Sequence, residues 1–566
     1  MQLRIKGKVL LEYSWKRILY ALAFFFVCVI DQQVKSDVLE GLAAKFPDLT
    51  ALAIAIIIFS HYTIKDFLAY KIPYAVWTVI SLFGCPLAIK WGIDNRPDVS
   101  AWIALVVQMA VYGYIVIHTF IDVALQRKLP KLNKVSGMLW LVMMVFMMIS
   151  RSTHTWQFFF FVAFGCLCLT DFTDEEQNDI FQGMLDGFIL AFFVFQALSY
   201  MFRPYDLVQY YGIFYNPNMN ALFYLEALVA VFGKIMYVTK RNSSKWIRVF
   251  YWLGAGVVLA HLFMTIGRTA WLVAFIIGVV FLWAMQKLQH QRNFFENGLV
   301  LVICACLMLP ITFGLVRYMP PVFHHPIWFE GEWWEDRVQS WDPWNSEKYV
   351  DLDEFLDVAV MRFVDLFLDA ADGFGTEADE DNLVQATESA TEITVENTLP
   401  TENEMEARIK RAFPDMPQEE VDAMLLRNSY SDNSVAVRYF IYCHYAKNLN
   451  LLGHTREDQG LQYELGFFVD HAHNIFLQYG TDFGIIMMIM FVVLIIRSYM
   501  VLMTRFKRQE HIQSMVYLLF MTVTVGFGLF EYSYGPGSVG QAMLFWVFAM
   551  VIREVEEARN EKVVAS

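Results

Sequence analysis

The stretch that decides the fold class is Gly480–Met503, GTDFGIIMMIMFVVLIIRSYMVLM, which is almost continuous hydrocarbon after Gly484. An α-helix needs about 20 consecutive apolar residues to cross the hydrocarbon core of a bilayer. The composition agrees with this interpretation, because 57% of the 566 residues are hydrophobic and only 18% are charged. A soluble fold of this length could not hide that much apolar surface. We therefore expect a protein whose solvent is lipid.

Apolar windows of the length of a membrane helix recur along the chain. They cover residues 14–30, 49–64, 72–90, 101–122, 136–150, 154–170, 183–203, 218–239, 246–265, 268–286, 297–318, 480–503, 511–531 and 537–553. We predict an all-α polytopic membrane protein with about 12–14 transmembrane helices. One large extracytoplasmic loop, partly helical, is expected between the last two groups of helices.

Lysine and arginine collect in alternate connections, which is typical of the cytoplasmic side of a membrane. Basic residues cluster before the first window and again within 127–134, 240–248, 287–292 and 497–508. The acidic stretch 171–180 is expected to be a connection on the same side, and it departs from the pattern. We predict that both termini are cytoplasmic and that the long connection is extracytoplasmic.

The long connection divides the chain into four predicted parts. These are a membrane domain with eleven spans (1–318), an extracytoplasmic loop domain (319–470), closing spans (471–553) and a cytoplasmic tail (554–566). Within the loop domain, 351–370 has the spacing of an amphipathic helix on a surface. The insert 371–404 is predicted to be mobile, because ten acidic and no basic residues lie between Asp372 and Glu404.

Charge and cysteine content argue against a nucleic-acid partner, a disulfide framework and a metal site. The net charge of −14 is concentrated in the acidic insert, and no clustered basic face of the kind that binds nucleic acid is present. Six of the seven cysteines lie in apolar runs, where a cysteine is usually a small buried hydrophobe. We predict no disulfide framework, no resident metal and no nucleic-acid partner.

The first cluster of polar candidates lies at the predicted outer face, in FRPYDLVQYYGIFYNPNMNA, residues 202–221. Arg203, Tyr215, Asn216 and Asn218 are its candidates for substrate binding, because rings and hydrogen-bond donors suit a sugar. A turn within an interfacial aromatic belt is an interpretation of about equal weight, since tyrosine favours the headgroup level.

Two arginines are candidates for binding a phosphate. Arg268, in TIGRTAWL (265–272), lies where two windows meet with almost no loop between them. An arginine near hydrocarbon is costly unless it is paired or faces water, and its forked guanidinium suits a diphosphate. A snorkelling anchor is the alternative for Arg268. Arg438 lies in an amphipathic segment, VAVRYFIYCHYAKNLNLLGH (435–454), where a solvated charge is the simpler interpretation.

The last cluster of polar candidates, VDHAHNIF (469–476), lies just before the apolar stretch 480–503. Its candidates are His471, His473 and Asn474. A histidine that titrates near neutrality can take a proton from a hydroxyl, whereas a lone histidine at a helix start is more often structural. We expect no metal here, because positions i and i+2 of a helix point apart.

Four segments, in this order, resemble those of the bacterial O-antigen ligase and polymerase superfamily. They are GIFYNPN (212–218), TIGRTAWL (265–272), Arg438 with the later NLNLLGH (448–454), and AHNIFLQYGTDFGI (472–485). The resemblance covers about residues 210–500. In two places the chain departs from the family pattern: Gly267 stands where serine is frequent, and Gly453 is followed by His454 instead of completing Gly-x-Gly.

The resemblance implies a GT-C-like, inverting glycosyltransferase of the bacterial cytoplasmic (inner) membrane that works on its outer side. The implied donor is a glycan on polyprenyl diphosphate, typically undecaprenyl diphosphate, and the implied acceptor is a glycan, a lipid or a protein. No metal, nucleotide sugar or other cofactor is implied. Carried over by position, Arg268 and Arg438 bind the diphosphate and His473 is the general base. Polymerase and ligase both stay open, and a transporter or flippase of lipid-linked glycans is the alternative.

Overall fold

The computed structural model describes the chain in segments. They are residues 2–5, 8–12, 14–29, 49–95, 99–126, 132–152, 155–205, 208–214, 216–289, 294–323, 344, 349–372, 441–443, 445–455, 471–509, 511–531 and 539–553. The acidic insert beyond Asp372 and most of the predicted loop domain lie outside these residues.

The described chain is helical apart from one β-hairpin at its start. Strands Gln2–Ile5 (β1) and Lys8–Glu12 (β2) pair antiparallel. The helices are Trp15–Val29 (α1), Leu49–His61 (α2), Ile64–Ala69 (α3), Lys71–Asn95 (α4), Val99–Gln126 (α5), Lys134–Ile149 (α6), Thr155–Leu169 (α7), Asp174–Phe202 (α8), Pro217–Lys240 (α9), Lys245–Met264 (α10), Arg268–Leu288 (α11), Phe294–Phe323 (α12), Leu352–Asp372 (α13), Ile475–Phe483 (α14), Ile485–Gln509 (α15), Ile512–Gly528 (α16) and Val539–Arg553 (α17).

Seven of these helices are long and apolar enough to cross a membrane, namely α4, α8, α9, α10, α11, α12 and α15. Shorter apolar helices lie within residues 109–121, 134–149, 512–528 and 539–553. The prediction of an all-α, multi-pass membrane protein is confirmed at this level. The window predicted at 297–318 corresponds to α12. This helix is longer than the window and runs to Phe323.

Helix α9 is the centre of the helix body. Every side chain from Met219 to Met236 is buried, and a helix without an exposed face needs neighbours all round. Those neighbours are α8, α10, α11, α16 and α17. Helix α4 is the opposite case, since apolar side chains such as Leu82 and Phe83 are about two-thirds exposed. It therefore lies at the periphery, where lipid would cover it.

The acidic stretch 171–180 is mostly helix, so its interpretation as a connection was wrong. Thr173 caps α8 in a capping box with Glu176, which satisfies backbone N–H groups of the first turn. The Glu176 carboxylate also accepts from Lys16 at 2.6 Å and lies 2.8 Å from His61 Nδ1. Glu176 therefore pairs with Lys16 of α1 and contacts His61 of α2, which explains why an acid lies in this stretch.

The twelfth window is not one helix, because the chain breaks at Gly484 between α14 and α15. Gly484 has φ +97°, a backbone conformation that residues with a Cβ rarely adopt. The loop 448–454 packs against the break: Ile485 N–H donates to the Asn450 carbonyl at 2.8 Å, and His454 N–H donates to the Thr481 carbonyl at 2.8 Å. The family-like NLNLLGH segment therefore braces the helix that follows the histidines.

Candidate active site

The site is built on residues 471–474, which we call the His473 loop. His473 has φ +46°, in the left-handed region where residues other than glycine are uncommon. Asn474 caps α14 by accepting from two backbone N–H groups of its first turn, at 2.9 and 3.1 Å. Its amide donates to the Leu529 carbonyl at 3.1 Å. The Tyr442 hydroxyl lies 2.7 Å from the Leu529 carbonyl and 3.0 Å from the His473 carbonyl, and it shares its single proton between them.

These bonds bring Glu531, just beyond the end of α16, to the histidine. Glu531 is only 7% exposed, and its Oε2 lies 3.4 Å from His473 Nδ1. The contact has the length of an ion pair, but Nδ1 makes no hydrogen bond within the described residues. Catalytic hydrogen bonds are often long or poorly aligned before substrate is bound.

The second oxygen of Glu531 is held by α9, the central helix. Asn218 Nδ2 donates to Glu531 Oε1 at 3.0 Å. Asn216 caps the same helix by accepting from the Asn218 N–H at 2.8 Å, and Pro217 occupies the first helical position, where its missing N–H costs nothing. The NPN segment therefore starts α9 and presents Asn218 to the carboxylate.

The geometry fixes which histidine nitrogen can act as a base. A buried carboxylate beside Nδ1 favours the proton on that nitrogen, which leaves Nε2 free to accept a proton. The carboxylate would also stabilise the imidazolium that forms afterwards. His473 is about 29% exposed at its side chain, so a substrate can reach it. The group His473, Glu531 and Asn218 is suited to general-base chemistry.

His471 lies beside His473, and one expectation about the pair was wrong. Their ring centroids are 4.2 Å apart with planes at 49°, although helical positions i and i+2 would point apart. The reason is that neither residue is helical, since α14 begins only at Ile475. Within the described residues, no group of three or more His, Cys, Asp or Glu side chains could hold a metal ion.

The two described candidate arginines lie at the same end of the helix body. Arg203 is buried at the end of α8, and its guanidinium lies over the Tyr211 ring at 5.6 Å. Arg268 is half-buried and begins α11. A Cβ at Gly267 would lie 3.9 Å from the Ala221 Cβ, so α11 starts beside the first turn of α9. Arg268 is therefore carried next to the helix that holds Asn218.

A buried arginine that was not among the predicted site residues fixes the segment that pairs with the connection after α8. Arg317, fully buried in α12, donates to the Val350 carbonyl at 2.9 Å and lies 3.6 Å from the Asp351 carboxylate. Val350 N–H in turn donates to the Tyr205 carbonyl at 3.0 Å. Burial raises the pKa of the Tyr205 hydroxyl well above its ordinary value. This part of the connection is thus packed away from water.

Two candidates, Tyr215 and Arg438, lie outside the described residues. Of the other candidates, the structure places His473 and Asn218 against one carboxylate, that of Glu531. His471 lies beside His473, and Asn474 and Asn216 cap the two helices that carry the site. Glu531 and Tyr442 were not among the predicted site residues. A lone acid at the end of an apolar window, as in FGLFEYSYG (527–535), is the signal that points to Glu531, because an ionisable residue at membrane level is a functional candidate by default. No comparable signal marks Tyr442.

Fold and site together define a multi-pass helical membrane protein with a histidine–carboxylate pair at one end of its helix body. Comparison of the chain with protein-family models, with curated proteins and with solved structures finds no match. The activity is therefore inferred from the chemistry of the site.

Proposed function

We propose that the protein is a GT-C-like membrane glycosyltransferase that moves a glycan from polyprenyl diphosphate to an acceptor hydroxyl. The observation that carries the proposal is the 3.4 Å contact between His473 Nδ1 and the buried Glu531 carboxylate. A histidine oriented by a carboxylate is the usual arrangement of a general base. The proposal places the protein in the bacterial inner membrane with this site on the extracytoplasmic side.

The proposed reaction needs little from the protein beyond orientation and charge. The acceptor oxygen attacks the anomeric carbon while the bond from that carbon to the diphosphate oxygen breaks, so the configuration inverts. His473 Nε2 takes the acceptor proton, and the diphosphate leaves with the bonding electrons. Arg268 and Arg438 are proposed to bind the departing diphosphate, since guanidinium groups stabilise such charge.

The position of the pair also supports a lipid-linked donor. His473 lies ahead of α14 and α15, and Glu531 lies beyond the end of the apolar helix α16. Both are therefore at the end of apolar helices, where the diphosphate of a membrane-anchored lipid would lie. An apolar tail could then remain among the helices while its headgroup reaches the histidine.

The test uses purified full-length protein, a lipid-linked oligosaccharide and an acceptor. His473→Ala is expected to lower the rate of glycan transfer by about 10²–10⁴-fold, the range of general-base catalysis. His61→Ala is the control, because His61 pairs with Glu176 in the first turn of α8, at the opposite end of the body. Transfer at the wild-type rate by His473→Ala would refute the assignment.

The same assay separates the two reactions of the proposed class. A polymerase extends the glycan when the lipid-linked oligosaccharide is supplied alone, because a second donor molecule is its acceptor. A ligase forms product only when a lipid or protein acceptor is added. We favour polymerase slightly, and product from donor alone is the outcome expected for it.

A transporter or flippase of lipid-linked glycans is the second candidate. The observation that favours it is a charge cluster inside the body, formed by Arg17 of α1, Asp186 of α8 and Lys234 of α9. The Asp186 carboxylate lies 2.6 Å from Arg17 and 2.7 Å from Lys234, and buried ionisable groups often mark transport pathways. Flipping of a fluorescent lipid-linked glycan in proteoliposomes, abolished by Asp186→Asn at equal folded yield, would support this candidate over the enzyme.

A further inference from the structure

A second chain of polar contacts reaches the His473 loop through the backbone of Ala472. The backbone N–H of Ala472 donates to Gln478 Oε1 at 2.8 Å, and Gln478 Nε2 donates to Asp482 Oδ1 at 3.0 Å. Ala472, Gln478 and Asp482 are 0%, 4% and 1% exposed. The bonds therefore run through a site from which water is almost excluded, where a hydrogen bond is stronger and a missing partner costs more.

The direction of these bonds is set by the Ala472 N–H, which can only donate. The Gln478 amide must therefore turn its oxygen toward Ala472 and its NH₂ group toward the Asp482 carboxyl oxygen, which accepts. The opposite orientation would place two donors, the amide NH₂ and the Ala472 N–H, against each other. Gln478 and Asp482 are four residues apart on α14, which puts them on one face of the helix.

Asp482 is itself held by the loop 448–454, which braces the end of α14. A Cβ at Gly453 would lie 2.2 Å from the Asp482 carbonyl oxygen, so that position accepts only glycine. Gly453 also has φ +76°. The Asp482 backbone is thus packed against a second segment, which fixes the point from which its carboxyl group reaches Gln478.

We infer that Asp482 is a positioning residue for His473, acting through the Gln478 amide on the Ala472 backbone. The inference rests on the proposed role of His473 as a base. His473 follows Ala472 directly and holds a left-handed backbone conformation, which persists only where surrounding contacts fix it. Tyr442 fixes its carbonyl, and Gln478 fixes the N–H of the residue before it. Together they aim the imidazole at Glu531.

The chain offers a variant that reverses the hydrogen bond while keeping its charge. In Gln478→Glu with Asp482→Asn, the carboxylate introduced at position 478 accepts from both the Ala472 N–H and the amide introduced at position 482. Gln478→Glu alone sets two carboxyl groups within hydrogen-bonding distance, so they share one proton or repel each other. Gln478→Met removes both hydrogen bonds and keeps the length of the side chain.

The experiment measures glycan transfer by the full-length protein and, separately, acylation of His473 by diethylpyrocarbonate with peptide mass spectrometry. Gln478→Met is expected to lower kcat about tenfold or more with little change in KM, since orientation and not affinity is lost. It should also change the acylation rate of His473 relative to that of His61. Gln478→Glu should lose activity as the pH rises. The double variant should recover kcat to within about threefold and keep the wild-type pH profile.

Two outcomes would overturn the inference. One is wild-type kcat and wild-type His473 acylation in Gln478→Met. The other is a double variant no better than Gln478→Glu, at equal folded yield. Full activity of His473→Ala would instead refute the proposed function, and the acylation rates would still show whether Gln478 and Asp482 position the imidazole.

Discussion

Glu531 is the residue on which the site depends most after His473. Its two oxygens face different partners, His473 Nδ1 at 3.4 Å and Asn218 Nδ2 at 3.0 Å. Glu531→Gln keeps the size of the side chain and can keep one hydrogen bond to Asn218. Its amide NH₂ would then face Nδ1 and favour the proton on Nε2, the wrong tautomer for a base. We expect the transfer rate to fall about 10²-fold or more.

Glu354→Gln is the matched control for this change, because Glu354 is exposed on α13. Transfer assays on both variants, purified in parallel and checked for equal folded yield, decide the result. If Glu531→Gln transfers glycan as fast as Glu354→Gln, the carboxylate does not orient the histidine.

The sequence indicated His473 but not its partner, and the reason is physical. His473 and Asn474 directly precede an apolar helical segment, where an asparagine is a common helix cap. Asn474 does cap α14. Glu531 lies 58 positions beyond His473, just past the end of another helix, α16. Only the packing of α9, α14 and α16 brings it to the imidazole. Local patterns can predict a cap, but contacts between distant helices depend on the whole assembly.

At the scale of elements, the break at Gly484 is the feature that places α14 as a separate short helix. A Cβ at Gly484 would lie 2.1 Å from the Leu451 carbonyl oxygen, and φ is +97°. Gly484→Ala is therefore expected to lower the free energy of unfolding by about 2 kcal/mol or more. Thermal unfolding in detergent measures the change.

Gly278→Ala provides the comparison, because Gly278 lies within α11 and a Cβ there would meet no atom within 4 Å. Alanine in a helix interior is favoured over glycine, so this change should be neutral or stabilising by up to roughly 1 kcal/mol. Equal destabilisation by both substitutions would show that the close approach at Leu451 does not constrain Gly484.

Hydropathy predicted where helices occur but not how this one is divided. Each of the fourteen apolar windows falls mainly on described helix, since a run of apolar residues in lipid must satisfy its backbone internally. The window 480–503 nevertheless begins inside α14 and crosses the break. Hydropathy averages over the very residues, Asp482 to Gly484, whose backbone ends one helix and starts another. The bracing loop 448–454 lies far from them in sequence and could not enter such an average.

At the scale of the whole molecule, the charge cluster of Arg17, Asp186 and Lys234 joins three helices inside the helix body. Lys234 is 2% exposed at its side chain, and its ammonium also donates to Gln182 Oε1 at 2.8 Å. One carboxylate therefore compensates two cations. Removing one partner of a buried pair leaves charge in a medium that solvates it poorly.

Asp186→Asn is accordingly expected to lower the free energy of unfolding by about 3–5 kcal/mol, because Arg17 and Lys234 lose their carboxylate. Adding Lys234→Met removes one of the two stranded cations, so the double variant should be more stable than Asp186→Asn alone. Unfolding of the three proteins in detergent tests this coupling, with Asp353→Asn on the exposed face of α13 as control. If the cluster only stabilises the packing of the three helices, the folded fraction of each variant should transfer glycan at the wild-type rate. A double variant less stable than Asp186→Asn would mean that Lys234 stabilises the body through Gln182 and not through the carboxylate.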